Sequence, residues 1–389
     1  MIRFNQELVL LRKGAQINMI IIKNGNVHLG NGEVLLNCDI MTEGKFIKKV
    51  GMNLECKNAQ IIDASGKEVF PGFIDTMSAI GAMGLPSSYH DNCEATDTLT
   101  PEMNIRYSVD PDEISMQKFY LSGITSIGLS PTNDNVMGGQ IAVFKTPPFK
   151  YEQRYLKEKA ALKCSVTNSV RDRYGKKDIL PKTKMGIFNI LENALHSVSI
   201  KKEDEYNEKE TVIKQVLDGK MPVLIAANTK QEMESLIHLL KKYENIKYYI
   251  ADAFEYDRCV EALAQNAEGL ILGNVTNLSA TGRYKVDLSK VRVFIDNNKP
   301  VSFSTTAGGY SEGREVYIWN AIEMYKAGIE EEEIVKMMTL NPAKILGVDD
   351  LIGTIEEGKH ADIVVYSKNP IKSYDARVEA CIVNGRSVL

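Results

Sequence analysis

Residues 69–75, Val69-Phe70-Pro71-Gly72-Phe73-Ile74-Asp75, divide the sequence into two rhythms. Upstream lie short apolar runs separated by tight turn signals. Residues 19–23 lead into Asn24-Gly25, and further turns fall at Asn31-Gly32 and Glu43-Gly44. Residues 34–40 and 46–50 read as strands between and after them. Asn-Gly is a strong hairpin signal because both residues accept positive φ. This portion is therefore expected to form a small antiparallel β module.

Downstream of Pro71 the pattern becomes strand, loop, helix. Asp110-Pro111-Asp112-Glu113 reads as a helix start: a capping side chain, proline in the first turn, and acids at the positive end of the dipole. Gly123 ends that helix and residues 124–129 form a strand. Thr229 and Glu232 form a capping box for a helix running to about Tyr243. Residues 222–227, 248–251, 269–272 and 300–304 are further short apolar strands. The charged stretch 201–210 reads as a solvated loop and helix start, and Glu330 to Glu333 as an acidic first turn. Near the end, residues 361–366 and 378–383 return to a β pattern, with Asn384-Gly385 as a turn. The expected fold is α/β: a (β/α)₈ TIM barrel over residues 70–344, with a small β-sandwich module built from both chain ends, 19–69 and 345–389. Periodicity alone leaves a doubly wound sheet open. Residues 1–18 read as an extension, and Met19 is a second candidate start.

Composition narrows the class. The chain has 389 residues with 47 Lys+Arg and 51 Asp+Glu, so its net charge is 47 − 51 = −4. Hydrophobic content of 44% and charged content of 25% argue against a disordered, collagenous or generally basic nucleic-acid-binding chain. No apolar run approaches the roughly 20 residues of a membrane span. The run at 19–22 is too short for a signal-peptide core. The expected compartment is the cytoplasm, with no nucleic-acid or membrane partner. The six cysteines are scattered, without a CxxC pair, and read as reduced thiols. The five histidines, His28, His90, His196, His238 and His360, contain no HxH or HExxH spacing. Any histidine-rich metal site must therefore be assembled from distant elements.

The 69–75 run resembles the opening strand motif of the amidohydrolase superfamily, closest to its imidazolonepropionase-like branch, with dihydroorotase and hydantoinase as relatives. A second match runs from Asn341-Pro342-Ala343-Lys344-Ile345-Leu346-Gly347 through Ile352-Gly353-Thr354 to Gly358-Lys359-His360-Ala361-Asp362. Gly123-Ile124-Thr125-Ser126 and Val136-Met137-Gly138-Gly139-Gln140 are also similar. The resemblance covers about 19–389 and implies a metal-dependent hydrolase of C–N bonds, usually with zinc.

The resemblance also implies ligands that are missing. The His-x-His expected after strand 1 is replaced by Met77-Ser78-Ala79. A thioether is a poor zinc ligand and alanine is none. A loose alignment sets Asn168 near the strand 4 carboxylate or carbamylated lysine, with Lys163 upstream. Ala226 or Asn228 stands at the strand 5 histidine, Asp252 at the strand 6 histidine, and Thr306 at the strand 8 aspartate that serves as base. Metal-bound water reaches a pKa near 7 only with these ligands in place. A threonine hydroxyl does not replace the base without an activator.

The reading is therefore an amidohydrolase-like barrel that has lost its metal and cofactor. Met77, Ala79, Asn168, Asn228, Asp252 and Thr306 would line a pocket for a small metabolite, or the chain would partner another subunit. The alternative is an active hydrolase of cyclic amides with a rebuilt site. Its catalytic candidates are Asp252 and His90, the latter in the loop Tyr89-His90-Asp91-Asn92-Cys93-Glu94. A purely structural homo-oligomer component is a third option. Gly308-Gly309, Arg283 and Lys285 are weaker candidates for anion contacts in the late loops. His196 and His238 read as surface or helix-packing histidines.

Overall fold

The computed structural model describes residues 19–83, 90–110, 112–202, 205–273, 275, 285–305 and 313–389. Thr306, Arg283, Gly308 and Gly309 lie outside the described residues.

The first sheet contains β1 (Met19–His28), β2 (Val34–Glu43), β3 (Phe46–Gly51), β4 (Gln60–Asp63), β5 (Glu68–Pro71), β14 (Ile363–Tyr366), β15 (Val378–Val383) and β16 (Arg386–Ser387). Its order is β16-β15-β14-β5-β1-β2-β3, with β4 also paired to β1. The N-terminal strand β5 lies antiparallel beside β14, with Phe70 opposite Val364. One sheet is thus built from both ends of the sequence. It is hydrogen-bonded continuously. It curves back on itself: Ile47 donates its N–H to the Lys359 carbonyl at 2.8 Å, so β3 meets the segment leading into β14. Ile20, Ile22, Val27, Ile40, Ile47, Val69, Ile363 and Ile382 share one apolar core inside the curve.

The second sheet runs β6 (Phe73–Ser78), β7 (Ile124–Leu129), β8 (Met137–Lys145), β9 (Tyr155–Ser165), β10 (Val223–Ala226), β11 (Tyr248–Ala251), β12 (Gly269–Leu272) and β13 (Val301–Phe303). Its two end strands approach each other, forming a nearly closed barrel. The helices are α1 (Ile114–Tyr120), α2 (Tyr151–Arg154), α3 (Asn168–Gly175), α4 (Lys184–Ser199), α5 (Glu208–Leu217), α6 (Lys230–Leu240), α7 (Val260–Asn266), α8 (Arg292–Asp296), α9 (Gly313–Lys326), α10 (Glu331–Met338) and α11 (Leu340–Leu346). Helix α6 opens on the expected Thr229/Glu232 capping box.

Three local expectations change. Asn24-Gly25 is not a turn between strands: both residues lie inside β1, where Asn24 takes φ of 59° and the pairing with β2 shifts register. The strand–helix rhythm breaks at β8, which runs antiparallel to both β7 and β9. Strand β7 passes to β8 through a short loop, which needs no crossover helix because antiparallel neighbours can be joined directly. Helix α1 begins at Ile114, later than Asp110. Asp110 instead closes a turn by accepting the Asp112 N–H, and the Glu113 carboxylate accepts the Gly81 N–H at 2.7 Å.

The Pro-Gly step marks the crossing from one sheet to the other. A Cβ at Gly72 would sit 2.1 Å from Thr125 Oγ1 and 2.6 Å from its Cγ2. Only glycine lets β5 pass that close to β7.

Candidate functional site

Side chains alternate along barrel strands, so parity decides which enter the interior. On β9, Leu162 and Cys164 join the core shared with the surrounding helices. Ala161 joins the inner cluster with Ile74, Met77, Ile141, Leu224, Ala251 and Ile271. Lys163 has the parity of Ala161 and is fully buried. Its Nζ donates to Asn133 Oδ1 at 2.5 Å and to the Cys164 carbonyl at 3.2 Å. Asn133 Nδ2 in turn donates to Asp252 Oδ2 at 2.8 Å. An amine, an amide and a carboxylate thus form a relay from β9 through the β7–β8 loop to the end of β11. Burial draws Lys163 down to about 8, against the pull of Asp252.

Asp252 follows β11 with φ of 50°, a left-handed conformation that aspartate tolerates better than most residues. Its carbonyl accepts from Asn228 Nδ2 at 2.8 Å and from the Phe254 N–H at 2.9 Å. Its Oδ1 is buried and lacks a hydrogen-bond partner among the described residues. A buried acceptor left open carries a desolvation cost, which a donor on a ligand would remove.

Asp75, on β6, is also buried. It accepts the Thr305 N–H at 3.1 Å, the Thr305 hydroxyl, and the Met77 N–H at 3.3 Å. Burial pushes its carboxyl up to about 7, while these bonds oppose the shift and nearby Asp252 adds to it. Thr76 Oγ1 donates to Ser302 Oγ at 2.7 Å, and Ser304 Oγ to the Met77 carbonyl at 2.9 Å. Side chains therefore stitch β6 to β13 across the seam.

The other sequence candidates fall unevenly around this relay. Met77 is buried in the inner apolar cluster, and Ala79 is buried just beyond β6. Asn228 touches Asp252 directly. Asn168 is exposed as the first residue of α3, beyond the end of β9. His90 is exposed and pairs with Met83 in an isolated bridge. The loop that follows it packs on the segment carrying Asn133: the Asn92 carbonyl accepts the Thr132 N–H at 3.0 Å, and Cys93 Sγ lies 3.6 Å from Asn135 Oδ1. Burial raises the Cys93 thiol. Lys285 is exposed, as are His196 and His238 on their helices.

Asn133 and Thr305 escaped the sequence reading, and Lys163 was noted only in passing. A signal for Lys163 existed: it is the lone charge in the apolar run 160–165. Asn133 had none, because only the tertiary fold brings its loop over the barrel. Among the described residues, one group has three metal-type donors within 4.8 Å, namely His28, Glu331 and Glu332. It lies where β1 meets α10.

Comparison with known proteins agrees with this architecture. Residues 195–388 match the model of the amidohydrolase family. The crystal structure of an amidohydrolase from Thermotoga maritima superposes with a TM-score of 0.86 at 26% identity, covering 95% of this chain and 99% of that one. An amidohydrolase, tasK, of Hapsidospora irregularis is 20% identical over 390 residues, covering 88% of this chain. The imidazolonepropionase of Thermoplasma volcanium is 28% identical over 113 residues, covering 28% of this chain. The chain spans only 39% of the first of these two relatives and 28% of the second.

Proposed function

Since the chain belongs to the amidohydrolase superfamily, we propose that it is a member that has given up metal-dependent hydrolysis and binds a small polar metabolite in the barrel mouth. The observation that carries this reading is the Lys163–Asn133–Asp252 relay. A catalytic zinc needs about three N, O or S donors and an open position. In their place stand a thioether at Met77, no donor at Ala79, and an Asn228 amide already given to Asp252. Among the described residues aligned to family ligands, one open carboxylate oxygen remains, on Asp252. With a pKa of about 8, Lys163 is mostly an ammonium at pH 7, and a fixed cation on the same relay opposes a dication. Zinc does not fit this donor set. The ammonium instead balances the carboxylate that the lost metal would have held.

The open Asp252 Oδ1 selects for a ligand with an N–H donor, such as an amine, amidine or cyclic amide. In this reading the protein works in the cytoplasm on a small molecule, without nucleic-acid or membrane partners, and self-association is compatible with it. No helix among the described residues is long and apolar enough to cross a membrane.

A second reading is favoured by one specific observation. Asp75 and Lys163 titrate near 7 and 8, the range that suits general acid–base catalysis at neutral pH. That reading makes the protein a metal-free hydrolase of cyclic amides with a rebuilt site.

Elemental analysis of protein produced with and without zinc, combined with hydrolysis assays on cyclic amides, separates the two. The binding reading expects neither stoichiometric zinc nor turnover. Metal-free turnover abolished by Lys163→Met or Asp252→Asn would establish the rebuilt hydrolase. Stoichiometric zinc lost on Asp252→Asn would overturn both.

A further inference from the structure

At the opposite end of the barrel from the mouth, a cavity of about 430 Å³ lies between the two sheets. Its position follows from strand direction. Strand β9 begins there at Tyr155, and antiparallel β8 ends nearby at Lys145. One wall comes from two turns of the first sheet, Gly44-Lys45 between β2 and β3 and Asn384-Gly385 between β15 and β16. The other comes from the barrel, through Phe149, Gln153 and Tyr155, with His360 also in the lining.

Two buried polar atoms of this cavity have no hydrogen-bond partner among the described residues. His360 is 7% exposed, and its Nδ1 is buried without a hydrogen bond among the described residues. The same holds for Asn384 Oδ1. Lys45 and Arg386 are exposed and stand in no ion pair among the described residues. Each instead lies over an aromatic ring, Lys45 5.0 Å from the Phe46 centroid and Arg386 5.9 Å from the Phe149 centroid. Glu152 is the one acid in the lining, so the two cations leave a net charge of +1. Deeper in the structure, buried Lys145 is already balanced by Asp362.

Two cations without ion pairs among the described residues, a buried imidazole nitrogen without a hydrogen bond, and an aromatic wall form one arrangement. We propose that this cavity binds a small organic anion, its carboxylate or phosphate held by Lys45 and Arg386 and its planar, apolar body set against Phe149. Arginine suits both head groups because its guanidinium fork matches their oxygens and also stacks on aromatic faces. The volume is that of an ordinary small-ligand pocket.

His360 supplies an internal reporter. Burial, with Lys145 and Lys45 nearby, depresses it to about 4, while Asp362 and Asp350 oppose the shift. Glu152 and Arg386 are the other charged groups of the lining. A bound anion adds negative charge close by and raises the His360 pKa.

The test uses the full chain and three probes: inorganic phosphate, phenyl phosphate and benzoate. Titration calorimetry should find saturable one-site binding of phenyl phosphate or benzoate, at least tenfold tighter than inorganic phosphate. Whichever head group wins identifies the ligand class. Lys45→Ala and Arg386→Ala should each weaken that binding fivefold or more. Both residues are exposed, and an unchanged circular dichroism melt verifies folding. Asp252→Asn should leave affinity within twofold, which separates this site from the mouth and from the function proposed for it. The His360 resonance should titrate at higher pH in the complex. The proposal is overturned by absence of saturable binding for all three probes. Binding indifferent to both Lys45→Ala and Arg386→Ala, binding lost with Asp252→Asn, or an unmoved His360 titration would overturn it equally.

Discussion

Asp75 and Thr305 are 230 residues apart in sequence and share two hydrogen bonds across the barrel seam, from the Thr305 N–H and from its hydroxyl. The first and last barrel strands are held here by a carboxyl group rather than by a backbone ladder. Thr305→Val keeps the shape and removes the hydroxyl donor, leaving a buried carboxyl oxygen unpaired. A loss of about 1–3 kcal/mol in denaturant-unfolding stability is expected. A change within experimental error would show that the seam does not depend on this bond.

The same carboxyl gives the protein an acid-side stability profile. Asp75 is raised from 3.8 to about 7 in the folded state. The native state therefore holds a proton that the unfolded chain releases between these values. This contribution is full below about pH 4 and is lost as pH rises through 7. Asp75→Asn should flatten stability between pH 4 and 7, as measured by urea midpoints in a pH series.

His28 ties the first sheet to helix α10 in a different way. Its ring stacks on Phe70 at 4.2 Å between centroids. Nδ1 lies 2.6 Å from Glu332 Oε1 on α10, and Nε2 lies 3.1 Å from Glu68 Oε2 on β5. Burial lowers the pKa, but the two carboxylates outweigh it and raise the value from 6.5 to about 9. The stabilisation is fully present below pH 6.5 and lost as pH rises through 9. The difference corresponds to about 3 kcal/mol. His28→Gln should cost most of that at pH 6 and little at pH 10, which thermal melts at the two pH values will read.

Lys163 and Asp252 should be energetically coupled through Asn133. Lys163→Met leaves a buried carboxylate without its cation, a loss of about 3–5 kcal/mol. Adding Asp252→Asn removes the stranded charge and should recover part of the loss. A double-mutant cycle is expected to give coupling above about 1 kcal/mol. Strict additivity would mean that the relay is a geometric coincidence.

At the Pro-Gly crossing, Gly72→Ala places a methyl group inside the van der Waals radius of Thr125. Overpacking of this kind costs about 1–3 kcal/mol, visible as a lowered urea midpoint. Thr125→Gly in the same chain should restore much of it.

The sequence by itself determined the architecture. The turns at Asn31-Gly32, Glu43-Gly44 and Asn384-Gly385, the return to β pattern after Ala361, and the Pro71-Gly72 step are local signals. Each acts through backbone preference or alternation over a few residues, so each can be read without the rest of the chain. Met77 and Ala79, at and just beyond the end of β6, were singled out by the family resemblance of the 69–75 run, not by a local structural signal. The antiparallel course of β8 was not legible, because strand direction is set by the loop before it and by its neighbours, and not by its own apolar pattern. The relay was decided only by the tertiary structure. Lys163, Asn133 and Asp252 come from a strand, a loop and a strand end far apart in sequence, and side-chain parity and the left-handed turn at Asp252 bring them into contact. Burial then sets their charges. The same lysine in an open chain would keep the ordinary amine value, so its chemistry belongs to the packed barrel.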